Sequence, residues 1–174
     1  MDLMDFEGQD LYFDEPMDDR VSRLLDEAAM RYPEPEVESL LAKAKAIAPD
    51  DLSVFVAFYR TYYYRHDYAG ALEVAEELLP VVARRLNLPG DWSLLTKADL
   101  DAIGEDRITL LRFYLMALKG AGYLLLRLDR PDEAFECLDK VRELDDADRL
   151  GAGALAETAR QALGYLDDAA DAAE

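Results

Sequence analysis

A period of 34 residues is the feature that most constrains the fold of this chain. Residues 18–51 and 52–85 follow each other end to end, and each contains a helical segment, a turn and a second helical segment. A third unit spans 115–148, and 150–174 begins a partial fourth. Repeats of this length are single helical hairpins that bury their apolar faces only against their neighbours. The sequence therefore predicts one all-α domain, 18–174, of about three and a half stacked hairpins.

The connection between the second and third units breaks this regularity. Residues 86–114 form an insertion, in which we expect a short helix capped by Thr96 and then a long helix from about Asp106 to Leu128. Apolar residues recur at helical spacing, without the sustained alternation of strands. Pro80 lies inside the second unit's second helix, so we expect it to kink or end that helix.

Several positions within the units carry a recognisable pattern. The second unit has two aromatic residues, an acidic turn residue and a small alanine, and the third has a glycine and an alanine where two helices approach closely. These residues are Tyr62, Tyr68, Asp67, Ala71, Gly122 and Ala134. The pattern resembles the tetratricopeptide repeat (TPR), which implies a fold of stacked helical hairpins and a protein-binding groove.

The resemblance has departures and one further association. Leu25 and Tyr59 replace the small glycine in the first and second units, whereas Gly164 falls near the turn-glycine position of the partial unit. The segments 11–16 and 113–122 faintly resemble small TPR proteins encoded near bacterial nitrogen-fixation genes. That resemblance implies a link to the maturation of nitrogenase or another metalloenzyme.

Charge and cysteine content exclude several classes of protein. The chain has 38 acidic and 19 basic side chains, a net charge of −19, which would repel nucleic acids and anionic membranes. A single cysteine, Cys137, excludes an intramolecular disulfide and a zinc finger. The first 19 residues carry eight acids and no base, unlike a signal peptide, and the sequence has no obvious membrane span. We expect a soluble, cytoplasmic protein that binds neither nucleic acid nor membrane.

Residues 1–17 form an acidic arm that is too polar to fold alone. It also contains apolar residues, including Leu11, Tyr12 and Phe13. Three interpretations remain open at this stage. The arm docks on a partner, lies in the chain's own groove in competition with a ligand, or is a flexible terminus.

The sequence offers few groups for catalysis. His66 is the single histidine and lies in a turn, where a surface residue with left-handed backbone is a better interpretation than a metal ligand or general base. Cys137 lies inside a helical pattern beside Leu138, where a small buried hydrophobe is expected. No EF-hand spacing or glycine-rich phosphate loop is present. We therefore predict a non-catalytic protein without a metal or cofactor.

The TPR resemblance also implies which side chains face a ligand. In that family the first helix of each unit lines a concave groove, and specific positions of it point inward. In the second and third units those positions carry a basic and aromatic set, consisting of Arg60, Tyr63, Tyr64, Lys119, Tyr123 and Arg127. The alternative is that Tyr63 and Tyr64 pack against the insertion while the cations pair with nearby carboxylates.

Two hypotheses for function follow. The first is an adaptor or assembly chaperone that binds an acidic or amphipathic segment of another protein in this groove. Reversing Arg60, Lys119 and Arg127 to glutamate should then abolish binding without loss of helical content. The second is a structural subunit or homodimer without a peptide-binding groove. Ser22 and Asp26 replace the clamp with which some TPR proteins hold a chaperone's C-terminal carboxylate, so that partner is not predicted.

Overall fold

The helices begin where the sequence places good capping residues. Before three of them an aspartate carboxylate accepts a backbone N–H of the first turn: Asp18 from Arg20 at 2.8 Å, Asp51 from Ser53 at 2.8 Å, and Asp67 from Gly70 at 3.0 Å. Such caps satisfy N–H groups that have no partner inside the helix. The computed structural model describes residues 17–171, with side chains to residue 164.

Eight α-helices and two short 3₁₀ helices make up the described chain, which contains no strand between residues 17 and 171. The all-α prediction is therefore confirmed. The α-helices are α1 (Asp19–Arg31), α2 (Glu36–Ile47), α3 (Leu52–Tyr64), α4 (Tyr68–Leu86), α5 (Lys97–Asp101), α6 (Ile108–Arg127), α7 (Pro131–Leu144) and α8 (Ala152–Asp171). The 3₁₀ helices are Trp92–Leu94 and Glu105–Arg107.

Helices that are adjacent in sequence pack on each other. The main pairs are α1 with α2, α3 with α4, α6 with α7, and α7 with α8, while α4 packs directly on α6 across the insertion. One large apolar cluster joins α3, α4, α6, α7 and the start of α8. Two smaller clusters lie among α1, α2 and α3. Each predicted unit before α8 thus corresponds to one helical pair.

Two helices approach each other closely where the sequence pattern has its glycine. A Cβ atom added at Gly122 of α6 would lie 2.5 Å from Leu138 Cγ of α7. Ala71 and Ala134, the small residues expected at such approaches, are fully buried. The predicted packing roles of Gly122 and Ala134 are therefore confirmed.

Pro80 does not end its helix, and α4 continues to Leu86. A proline inside a helix costs about 3 kcal/mol because it removes a backbone hydrogen bond. The residues that follow include Val82 and Leu86, which are buried in the core. Burial of each such side chain contributes roughly 1.5–3 kcal/mol, enough to offset the cost of the proline.

The partial fourth unit differs from its prediction. Gly164 is expected near a turn between two helices, but α8 runs without interruption from Ala152 to Asp171. One glycine costs a helix only about 1 kcal/mol relative to alanine, which is too little to end it. The unit is a single helix packed on α7.

The insertion forms the predicted short helix and supports α7. Asp99 accepts hydrogen bonds from the backbone N–H and the hydroxyl of Thr96, at 2.8 and 2.6 Å, at the start of α5. Leu95 is buried, and its carbonyl accepts a hydrogen bond from Lys140 Nζ at 3.2 Å. The long helix predicted from about Asp106 to Leu128 is α6, within two residues at its start.

The segment Glu105–Arg127, which contains α6, is long and apolar enough to cross a membrane by length and composition. In the fold, 67% of its most apolar window is buried. This burial is typical of the central helix of a soluble helical protein, and α6 contacts α4, α7 and α8. Residues 1–16, which include nearly all of the predicted acidic arm, lie outside the described residues.

Candidate functional site

An apolar groove lies between α1 and α3, with the start of α2 as its floor. Its volume is about 540 Å³, a size common among ligand-binding clefts. Three alanines on the two walls leave the space open. The lining residues are Ala28, Ala29, Tyr32, Val37, Leu41, Ala57, Arg60, Thr61 and Tyr64. We call this set the α1/α3 groove.

The wall formed by the α1–α2 turn is tied to the end of α3 by Arg65. Its guanidinium donates to the carbonyl oxygens of Pro33 and Glu34 at 3.1 and 2.6 Å, and to the Glu38 carboxylate at 2.6 Å. Charge-assisted hydrogen bonds of this kind are stronger than neutral ones. The turn that carries Tyr32 is thereby held beside Tyr64.

Large apolar surface remains exposed around the groove. Tyr32 is 41% exposed, Tyr64 is 45% exposed and the neighbouring Met30 is 80% exposed. Aromatic and methionine side chains are enriched at the centres of protein interfaces. The groove can therefore bury additional apolar surface if a ligand covers it.

Arg60 is the single charged residue among the nine that line the groove. It is exposed, and within the described part of the chain the structure gives it no carboxylate partner. Tyr32, Thr61 and Tyr64 contribute hydroxyl groups to the lining, and the Thr61 hydroxyl donates to the carbonyl of Ala57 at 2.8 Å. Recognition of charge in the groove depends on the guanidinium of Arg60.

A second group of predicted residues forms a tyrosine cluster that joins α3, α4 and α6. The Tyr63 ring lies 6.1 Å from that of Tyr68 and 6.3 Å from that of Tyr123, between ring centroids. The Arg127 guanidinium stacks on Tyr68 at 4.4 Å and donates to the Tyr123 hydroxyl at 3.0 Å. We call Tyr63, Tyr68, Tyr123 and Arg127 the tyrosine cluster.

The cluster and the groove adjoin each other. The rings of Tyr63 and Tyr64 make an edge-on contact, with centroids 5.6 Å apart. Five of the six predicted residues therefore lie on two neighbouring surfaces, Arg60 and Tyr64 in the groove and the other three in the cluster. Arg127 contacts tyrosines, so the alternative in which the cations pair with carboxylates does not describe it.

Lys119 does not belong to this surface, and its assignment to the predicted site is corrected. It is 4% exposed. Its Nζ donates a hydrogen bond to the carbonyl of Leu150, just before α8. At this position α6 packs against the segment that leads into α8, and this segment covers the hairpin of α6 and α7. Lys119 thus has a structural role.

The sequence pattern does not indicate the residues of α1 and the α1–α2 turn that complete the groove. Ala28 and Ala29 are adjacent small residues at the end of α1, and Tyr32 follows directly after Arg31. A pair of alanines before an exposed aromatic residue is a weak signal that becomes informative only when α3 is placed opposite.

The histidine and cysteine have the structural surroundings expected from the sequence. His66 is exposed and has a positive φ of 61° in the turn before α4, and its Nδ1 lies 2.9 Å from the Tyr68 hydroxyl. Cys137 is buried, and its thiol donates to the Leu118 carbonyl at 3.2 Å. Within residues 17–171, no group of three or more histidine, cysteine or acidic residues is placed to hold a metal ion.

The Cys137 thiol is predicted to be unreactive in the native protein. Burial raises its pKa to about 12, so at pH 8 only about one thiol in ten thousand is ionised. We expect no reaction with a thiol-specific disulfide reagent at pH 8 over minutes, and one thiol titrated per chain in denaturant. Rapid reaction of the folded chain would show that α7 opens locally.

A search among curated proteins finds one relative of high similarity. It is an uncharacterized 19.8 kDa protein of Azotobacter chroococcum mcd 1, encoded in the region 5′ of nifW. The two sequences are 49% identical over 152 residues, which is 87% of this chain and 85% of the relative. No protein-family model matches the chain. No solved structure matches it either.

The alignment covers most of both proteins, so the similarity is not confined to one short segment. The gene of the relative lies among nif genes, which supports the nitrogen-fixation context indicated by the sequence. The chain belongs to the same family as this 19.8 kDa protein of the nifW 5′ region.

Proposed function

We propose that this protein is a non-catalytic adaptor or assembly chaperone that holds an acidic or amphipathic segment of another protein in the α1/α3 groove. The observation that carries the proposal is the lining of the groove, which is mostly apolar and contains one charged residue, Arg60, without a carboxylate partner among the described residues. Acidic side chains outnumber basic ones by 38 to 19 on this chain. A carboxylate beside apolar side chains would complement both properties of the groove.

We further propose that the helices form a TPR-like array. Support comes from the 34-residue period, the helical pairs at the expected places and the close approach at Gly122. In such an array the first helices of successive units, here α1, α3 and α6, share the concave side. These helices carry Arg60 and Tyr64 of the groove and Tyr63, Tyr123 and Arg127 of the tyrosine cluster, so a bound segment would extend from Arg60 toward Arg127.

The process is proposed from the gene context of the relative. The relative is encoded in the nifW 5′ region. The proposed partner of this chain is therefore nitrogenase, or an enzyme that matures its metal centres, in the cytoplasm. A preformed groove suits this role because the chaperone surface loses little conformational entropy when a partner segment binds.

Capture from a nitrogen-fixing cell tests this function. The tagged full chain should retain a stoichiometric partner that mass spectrometry identifies. The double variant Arg60→Glu, Tyr64→Ser should lose at least about 90% of that partner, which corresponds to about 1.4 kcal/mol of binding free energy. Raising the salt concentration should weaken retention of the partner by the unmodified chain.

Arg112→Glu is the matched control for charge. Arg112 is exposed on α6 and lines a separate cavity of about 350 Å³ near the insertion. This variant makes the same charge reversal away from the groove and should retain the partner. Equal retention by the groove variant and the control would contradict the α1/α3 groove as the binding site.

A homodimer is the second candidate, favoured by the apolar surface of the insertion. Leu94 is 66% exposed and Ile108 is 49% exposed. Isologous contact between two such patches would bury them. Sedimentation over a hundredfold range of concentration distinguishes the candidates, because a dimer through this surface should dissociate in the variant Leu94→Ser, Ile108→Ser.

A further inference from the structure

We infer that the α1/α3 groove has a ligand within the same chain, the apolar triplet Leu11-Tyr12-Phe13 of the N-terminal arm. The inference rests on the proposed binding role of the groove and assigns its resident occupant. Partner binding would then require displacement of the arm. Three observations support it: where the described chain starts, how far the arm reaches, and the composition of the arm.

The described chain starts at the opposite end of the helices that form the groove. Met17 packs on an apolar cluster of Val21, Ala44 and Val54, which lies at the start of α1, the end of α2 and the start of α3. The groove is lined by the end of α1, the start of α2 and the end of α3. The arm therefore joins the same three-helix layer from its other end.

The length of an extended arm indicates which of its residues would meet the groove. Ala28 and Tyr32 lie 11 and 15 residues beyond Met17, which at about 1.5 Å per helical residue is roughly 17–22 Å along α1. An extended chain covers this distance in about five to seven residues at ~3.3 Å each. Counting back from Met17 by this number of residues gives positions 12 to 10. An arm that runs extended along α1 would therefore bring Tyr12 and Leu11 to the groove.

The composition of this part of the arm complements the groove. Leu11, Tyr12 and Phe13 are three consecutive apolar or aromatic residues, flanked by Asp10 on one side and Asp14 on the other. The groove offers an apolar floor and the guanidinium of Arg60. An aromatic residue packed against the exposed rings of Tyr32 and Tyr64 would bring a flanking carboxylate near Arg60, which charge complementarity favours.

Competition with a labelled peptide tests the inference. The probe is a fluorescent peptide of residues 1–17, titrated into the full chain and into the full-length variant Leu11→Ser, Tyr12→Ser, Phe13→Ser. A tethered arm acts at an effective concentration of about 1 mM. If its intrinsic dissociation constant for the groove is about 100 μM, the arm weakens peptide binding roughly tenfold. We expect the variant to bind the peptide about ten times more tightly than the unmodified chain.

Two further variants sharpen the test. The full-length variant Leu3→Ser, Met4→Ser, Phe6→Ser replaces three apolar residues that an extended arm would place past the groove. This variant should bind the peptide as weakly as the unmodified chain. Adding Arg60→Glu to the Leu11, Tyr12, Phe13 variant should abolish peptide binding. Circular dichroism of every variant should show unchanged helical content.

Three results would overturn the inference. The first is that the Leu11, Tyr12, Phe13 variant does not bind the peptide, and the second is that it binds the peptide no more tightly than the unmodified chain. The third is a dimer that dissociates when the triplet is replaced, because the arm would then dock on a second copy of the chain. Partner capture that still depends on Arg60 would leave the proposed function standing in each case. Conversely, peptide binding without any captured partner would support docking of the arm in the groove and contradict the adaptor role.

Discussion

Replacement of Lys119 by glutamate should destabilise the fold by about 3 kcal/mol or more. The residue is 4% exposed, and its Nζ donates to the Leu150 carbonyl. Glutamate would place a buried carboxylate against a carbonyl oxygen, with loss of the donor and a large desolvation cost. Urea unfolding followed by far-UV circular dichroism measures the effect, which is a large part of the 5–15 kcal/mol typical of a domain.

The pH dependence of this variant has a defined sign. A carboxyl group buried without a cation has a raised pKa in the folded chain, because burial disfavours its charged form. The folded variant then binds more protons than the unfolded one, so its stability falls as pH rises through neutrality. We expect the deficit relative to the unmodified chain to be smaller at pH 5 than at pH 8.

Two comparisons isolate the effect of burial. Arg112→Glu makes the same reversal of charge at an exposed position away from the groove and should change the unfolding free energy by less than about 0.5 kcal/mol. Lys119→Met keeps most of the side-chain volume and should cost about 1–3 kcal/mol through the lost hydrogen bond. Equal stability of Lys119→Glu and Arg112→Glu would show that Lys119 is accessible to water.

This prediction also changes the design of binding experiments. The triple reversal of Arg60, Lys119 and Arg127 suggested by the sequence would combine a surface change with loss of stability. Loss of a partner in that variant would not locate the binding surface. Variants restricted to the groove and the tyrosine cluster avoid the ambiguity.

Gly122→Val should destabilise the protein by about 3 kcal/mol, and Gly122→Ala by about 1–2 kcal/mol after allowance for the better helix propensity of alanine. The physical reason is steric. A Cβ atom at position 122 would lie 2.5 Å from Leu138 Cγ and 2.8 Å from its Cδ2, so α6 and α7 must move apart or Leu138 must leave its rotamer. Thermal and urea unfolding measure the loss.

Gly164→Ala is the matched control, because a Cβ atom there meets nothing within 4 Å. The same substitution in an open part of α8 should stabilise the helix by up to about 1 kcal/mol. A double-mutant cycle of Gly122→Val with Leu138→Ala should show coupling of at least about 1 kcal/mol, because the smaller residue removes the clash. Strict additivity would contradict the packing assigned to this pair.

Much of the fold could be predicted because it depends on local signals. Asp51 and Asp67 cap the starts of α3 and α4, and Pro131 is tolerated at the start of α7. Capping and proline tolerance act within one helical turn, so they are readable from a few consecutive residues. The packing role of Gly122 was predicted from the resemblance to the TPR pattern, in which a glycine marks the close approach of two helices.

Two residues that disfavour helix do not end the helices that contain them. Pro80 and Gly164 both disfavour helix locally, yet α4 and α8 continue through them. The outcome for Pro80 is decided by burial of the residues that follow, and for Gly164 by the small penalty of a single glycine. Local propensity is a weak prior when packing or a long helical context opposes it.

The sequence by itself determined the helical class and, before α8, where most helices begin and end. These properties follow from apolar periodicity and local capping signals, which one chain displays along its own length. The expectation that aromatic residues of α3 and α6 line one surface came from the TPR resemblance instead. Only the tertiary structure decided that Lys119 is buried under α8, and that Ala28, Tyr32 and Arg60 enclose one groove. Burial and enclosure depend on which helix covers which face, because a side chain's exposure is set by residues far away in sequence.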